Sequence, residues 1–107
     1  MIDLTVVQAT DTTLTLNWTE VDDGFGSPSS YTARFRPTTT LAWTELTSGG
    51  CAAPIAGTMI GEVLACTVDG LEAETLYFFQ VRPFRGVLGV DARFGPLSNT
   101  AGEATDP

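Results

Sequence analysis

Histidine and lysine are both missing from this 107-residue chain, and the two absences remove most of the common catalytic repertoire. Without an imidazole there is no Ser-His-Asp or Cys-His nucleophile pair and no histidine metal site. Without an ammonium there is no Schiff-base lysine and no lysine–asparagine cross-link. Basic charge is scarce as well: five arginines stand against thirteen acids, for a net charge of −8. That balance excludes nucleic acid as a partner, because phosphate binding needs a basic patch that neutralises many phosphates. No apolar run approaches the roughly 20 residues of a membrane helix, so membrane insertion is excluded too. Residues 1–7 lack a basic start and an apolar segment of signal-peptide length, so export is not encoded in them.

What remains for chemistry is carboxylates, hydroxyls and two thiols. Glu72 and Glu74 sit in a turn with no pocket implied around them, which reads as a solvated pair rather than a general acid and base. No catalytic residue, metal ligand or cofactor is assigned. Cys51 and Cys66 form an even pair in a small chain, which reads as one disulfide of a protein maturing in an oxidising place. The alternative is two thiols in a reducing one. Closing a loop of that length stabilises by about 3 kcal/mol in the chain-entropy account.

Period-two alternation recurs along the chain and helix signals are few, so the class is all-β. Ile2, Leu4 and Val6 alternate within residues 2–9. Leu14, Leu16 and Trp18 share one face of 13–19, and Tyr31, Ala33 and Phe35 resume that inward face over 31–36. A short strand over 41–46 carries Trp43, and residues 51–62 read as an irregular crossing. Leu64, Cys66 and Val68 alternate again, Tyr77, Phe79 and Val81 mark a central strand over 75–82, and a last strand falls near 96–101. Seven short strands with frequent turns indicate a two-layer antiparallel sandwich, since each one-faced sheet must cover the other. Residues 1–101 form the domain, and 102–107 have the composition of a tail or linker.

Read together, these segments resemble a fibronectin type III domain, an immunoglobulin-like fold. Thr12–Trp18 resembles its second strand with a buried tryptophan, and Tyr31–Arg36 its third. Gly70-Leu71-Glu72-Ala73-Glu74-Thr75-Leu76-Tyr77 is similar to its tyrosine corner, in which Leu71 plugs the end and the Tyr77 hydroxyl bonds upstream backbone. Gly95-Pro96-Leu97-Ser98-Asn99 resembles the entry to its last strand. The resemblance implies a structural core of Trp18, Tyr31, Phe35, Leu71, Tyr77, Phe79 and Val81. The family has no obligatory disulfide, and Arg85-Gly86-Val87 is not its adhesive Arg-Gly-Asp, so integrin binding does not carry over.

Two loops are the candidate contact surfaces. Residues 84–94 interleave apolar side chains with arginines and glycines, giving Arg85, Val87, Leu88, Val90 and Arg93 as candidates. The second loop, 22–30, offers Phe25 between two glycines. Its acids, Asp22 and Asp23 with Glu20 nearby, lack the ordered spacing of a calcium loop, so a polar turn is expected. The expected role is a non-catalytic interaction or spacer module of an extracellular or surface-associated microbial protein, binding through loops or edge strands, with protein partners or adjacent domains of a parent chain. Two alternatives stand beside it. One is a structural subunit of a virion or extracellular polymer that self-assembles through strand edges. The other is an accessory module of a secreted carbohydrate-active enzyme.

Overall fold

A computed structural model describes residues 3–47 and 49–107, so the expected inward place of Ile2 lies outside the described residues. Among the described residues eight strands follow in order: β1 Thr5–Ala9, β2 Leu14–Thr19, β3 Ser30–Pro37, β4 Thr44–Glu45, β5 Val63–Val68, β6 Leu76–Arg85, β7 Arg93–Phe94 and β8 Ala101–Ala104. All pairings are antiparallel. One sheet has the order β1-β2-β5; in the other β4-β3-β6 is extended by β7 and β8, which both pair with β6.

The count is eight rather than seven because the strand beside β6 is split. Pro96 has no N–H to donate, so the ladder lapses between Phe84↔Phe94 and Phe79↔Ala101, leaving Gly95 N–H on the Pro83 carbonyl and Ser98 N–H on that of Val81. The second piece also lies later than expected. It runs from Ala101 to Ala104, so Gly102, Glu103 and Ala104 are part of the sheet rather than of a tail. Beyond them Thr105 is buried, its N–H donating to the Thr75 carbonyl, and the Asp106 N–H donates to that of Thr10. The strand expected over 41–46 is only two residues long, and β1 starts at Thr5 with a bulge between Val6 and Gln8.

The apolar positions of the two sheets meet in one interior. Leu14, Leu16 and Trp18 of β2 face Tyr31 and Ala33 of β3 and Tyr77, Phe79 and Val81 of β6, all buried. Phe35 is half-buried against the same cluster. The Trp18 and Tyr31 rings pack edge to face at 5.2 Å, an arrangement that suits the quadrupoles of aromatic rings. Cys51 and Cys66 are joined in a disulfide with Cα atoms 5.2 Å apart, tying the crossing segment to β5.

Each end of the β3–β6 pair is pinned by a tyrosine hydroxyl. At one end Tyr77 accepts the Glu72 N–H at 3.0 Å, and Leu71 is buried beside it with its N–H on the Thr12 carbonyl. At the other end Tyr31 accepts the Val21 N–H at 2.9 Å. The second tyrosine sets the base of the loop that follows β2.

Candidate functional site

Glu20 continues the inward alternation of Leu14, Leu16 and Trp18, which places a carboxylate in the sandwich with only 2% of its surface exposed. Such a charge needs donors. Oε1 accepts the Thr58 N–H at 2.7 Å, while Oε2 accepts the Thr58 hydroxyl at 2.5 Å and the Met59 N–H at 3.0 Å. Burial pushes its pKa upward, but these three bonds outweigh burial and hold it below the ordinary glutamate value. Gly57 makes the approach possible: a Cβ there would collide with the Ser29 carbonyl, Glu20 Oε1 and Pro28. Glu20 is therefore a brace between β2 and the crossing segment.

Above that brace, residues 22–28 form a small closed turn. Asp22 Oδ1 accepts the N–H groups of Gly24 at 2.7 Å and Gly26 at 3.0 Å; Asp23 Oδ1 accepts that of Phe25 at 2.8 Å. The Gly26 and Gly24 amides also hold the Asp22 carboxyl below its usual pKa. Gly24 and Gly26 take φ of +96° and +86°, a region that glycine enters without steric cost. The turn lifts Phe25 to the tip, where it is 72% exposed.

The neighbouring loop is shorter than expected, because Phe84 and Arg85 belong to β6 and Arg93 and Phe94 to β7. Asp91 closes the hairpin between them: its Oδ1 accepts the Val87 N–H at 2.7 Å, and its own N–H joins that of Val90 on the Val87 carbonyl. Val87 and Val90 are thereby held at the surface, 60% and 80% exposed.

The fold brings the two loops together. The Arg85 guanidinium lies 4.2 Å from the centre of the Phe25 ring, a cation–π contact that couples turn to hairpin. Arg85 and Arg93 share with Asp22 and Asp23 a cleft of about 220 Å³. Leu88 departs from this group: it is half-buried and turns onto the face of the β3–β6 sheet beside Phe94. Phe84 is buried and packs against Phe94 with the rings tilted at 43° and their centres 5.7 Å apart. Sequence reasoning weighed Glu20 only as a metal ligand and passed over Gly57 and Asp91. A carboxylate at an inward position of an alternating strand was the signal for the first.

With this geometry in view, the fibronectin type III domain model matches residues 2–92. The chain belongs to that family. No curated protein matches this fibronectin type III domain. Among solved structures it is similar to a myokine, with 14% identity and a TM-score of 0.68 over 99% of this chain and 95% of the other. A structure of domains A168-A170 from titin gives 20% identity and a TM-score of 0.68, covering 98% of this chain and 31% of that one. The sensor domain of the anti-sigma factor RsgI4 of Pseudobacteroides cellulosolvens gives 15% identity and a TM-score of 0.61, covering 98% and 94%. At these identities the likeness is one of fold.

Proposed function

We propose that this fibronectin type III domain is a non-catalytic protein-binding module of an extracellular or surface-associated protein, engaging a protein partner or an adjacent domain through its paired loops. The carrying observation is the Arg85–Phe25 stack, which sets two apolar tips side by side on bonded turns. Exposed apolar side chains on rigid bases suit recognition, because little freedom is left to lose on binding. The disulfide suits an oxidising compartment.

Strand addition is less well supported as its mode of contact. The outer edge of β5 is covered by the 49–51 turn, where Gly50 packs on the Thr67 backbone and Cys51 is bonded to Cys66. β1 carries a bulge, and Asn99 is bonded to both the N–H and the carbonyl of Leu4 just before it. Both features blunt an edge.

The test is site-specific photo-crosslinking in the full parent protein, with the probe replacing Val90 or, on the opposite sheet, Gln8. Adducts to another protein or domain are expected from position 90 and lost on Phe25→Ala. Equal adducts from position 8, or none from position 90, would overturn the reading.

A further inference from the structure

Every cation of this acidic chain belongs to one sheet. Arg34 and Arg36 lie on β3, Arg82 and Arg85 on β6 and Arg93 on β7, whereas that sheet holds only two carboxylates, Glu45 and Glu103. The other eleven acids lie outside its strands. Period-two alternation puts Arg34, Arg36 and Arg82 on the outer face together with Phe78 and Gln80.

These guanidiniums are stacked on rings. Arg34 and Arg36 lie 4.7 and 5.3 Å from the Trp43 centre, Arg36 also 4.8 Å from that of Phe78, and Arg82 4.3 Å from that of Phe94. A guanidinium stacked through its flat face keeps its N–H donors in plane, where they suit a carboxylate; Arg34 Nε and Nη2 donate to Gln80 Oε1, which leaves its Nη1 to meet one. Beside Arg82 the face hollows to about 360 Å³, walled by Thr32, Leu46, Ala53, Leu88 and Phe94, with Glu45 its one carboxylate. Within this wall the Arg82 Nε is buried and has no acceptor among the described residues, an uncommon state for a charged donor.

We propose that this face docks an acidic peptide segment carrying an aliphatic side chain. The aliphatic group fills the hollow between Leu88 and Phe94, and flanking carboxylates pair with Arg82 and Arg34. Cations separated by apolar walls match an occupant that is both acidic and apolar. A uniform polyanion such as a sulfated glycan carries no aliphatic group to fill the hollow. The segment lies across the face rather than extending the sheet, since β3 is bonded along its outer edge by Leu46 and Ile55, and β6 by β7, Ser98 and β8.

The experiment is an NMR titration of the isotope-labelled domain with three probes: the capped pentapeptide Asp-Glu-Leu-Asp-Glu, its amide isostere Asn-Gln-Leu-Asn-Gln, and a heparin-type oligosaccharide. Saturable shifts are expected at Arg34, Arg82, Leu88 and Phe94 with the acidic peptide, at a Kd of about 1 mM. Binding weakens about two- to fivefold with Arg82→Gln, as expected when one exposed ion pair is lost, and further with the isostere, which lacks every side-chain carboxylate. Leu88→Ser, in a turn outside the sheet core, serves as a second variant and weakens it likewise, whereas Phe25→Ala leaves it unchanged. Absence of saturation, equal binding of the isostere, tighter binding of the saccharide, or shifts confined to the loop tips would each overturn the proposal. Because Phe25→Ala removes the loop contact alone, failure here and failure of the loop reading are distinguishable.

Discussion

Replacing Glu20 by glutamine tests the internal brace most directly. The carboxylate accepts three bonds, from the N–H and hydroxyl of Thr58 and the N–H of Met59. A glutamine oxygen can serve one side, but its amide nitrogen must then face a donor on the other. The Thr58 hydroxyl can rotate away, whereas the Met59 N–H cannot. One orphaned buried donor, together with the loss of charge-assisted bonds, gives an expected loss of about 2–3 kcal/mol at pH 7. The pH dependence fixes the sign. Since the folded carboxyl titrates below its unfolded value of 4.5, its contribution is complete above that pH and is lost as pH falls through the lower folded value. Urea unfolding at pH 7 and at successively lower pH should therefore show the gap between parent and Glu20→Gln narrowing on acidification. A gap below about 0.5 kcal/mol at pH 7, the range of ordinary surface substitutions, would refute the reasoning, as would a gap that does not narrow.

Other perturbations probe the remaining constraints. Tyr77→Phe leaves the Glu72 N–H without its acceptor and is expected to cost about 1–3 kcal/mol in urea unfolding. Cys51→Ser with Cys66→Ser should lower stability by about 3 kcal/mol and, by freeing the β5 edge, produce oligomers in size-exclusion chromatography. Gly57→Ala has no room beside Ser29 and Glu20 and should destabilise by about 1–3 kcal/mol, read as a lower melting temperature. Deleting residues 102–107 removes the β8 ladder and the Thr105 bonds, so a melting temperature equal to that of the full chain would show them to be a tail.

The interior was legible because its signal is redundant. Trp18 ends an alternating strand, and Tyr77 sits in a corner motif whose leucine, turn and hydroxyl make one mechanical unit. Less redundant features were misplaced. Residues 102–106 look like a linker because they are small and polar, yet an edge strand needs only backbone donors and acceptors. Just beyond the strand Thr105 adds its own anchors: its N–H donates to the Thr75 carbonyl, and its hydroxyl accepts the Thr75 N–H at 3.1 Å and donates to the Glu72 carbonyl at 2.5 Å. Leu88 looked like a tip residue because composition does not say which way a hairpin side chain turns. The Arg85–Phe25 contact joins positions 60 apart in sequence, and nothing in either loop announces the other.

The two tyrosine hydroxyls explain why the loop tips can vary without the fold giving way. Tyr77 and Tyr31 each fix backbone at one end of the same strand pair, but the ends are finished differently. At the Tyr77 end the C-terminal segment closes over the corner, with the Glu74 N–H on the Asp106 carbonyl and the Asp106 N–H on that of Thr10. At the Tyr31 end nothing comparable crosses the tips among the described residues: order comes from beneath, through Val21, Glu20 and the crossing segment. Substitutions at Phe25, Val87 or Val90 therefore remove exposed surface and leave the bonds that hold each turn, which run through backbone amides to Asp22, Asp23 and Asp91. Recognition at this end is separable from stability because the bonds that fix the loops run between backbone amides and the carboxylates of Asp22, Asp23 and Asp91, not through the side chains the loops present.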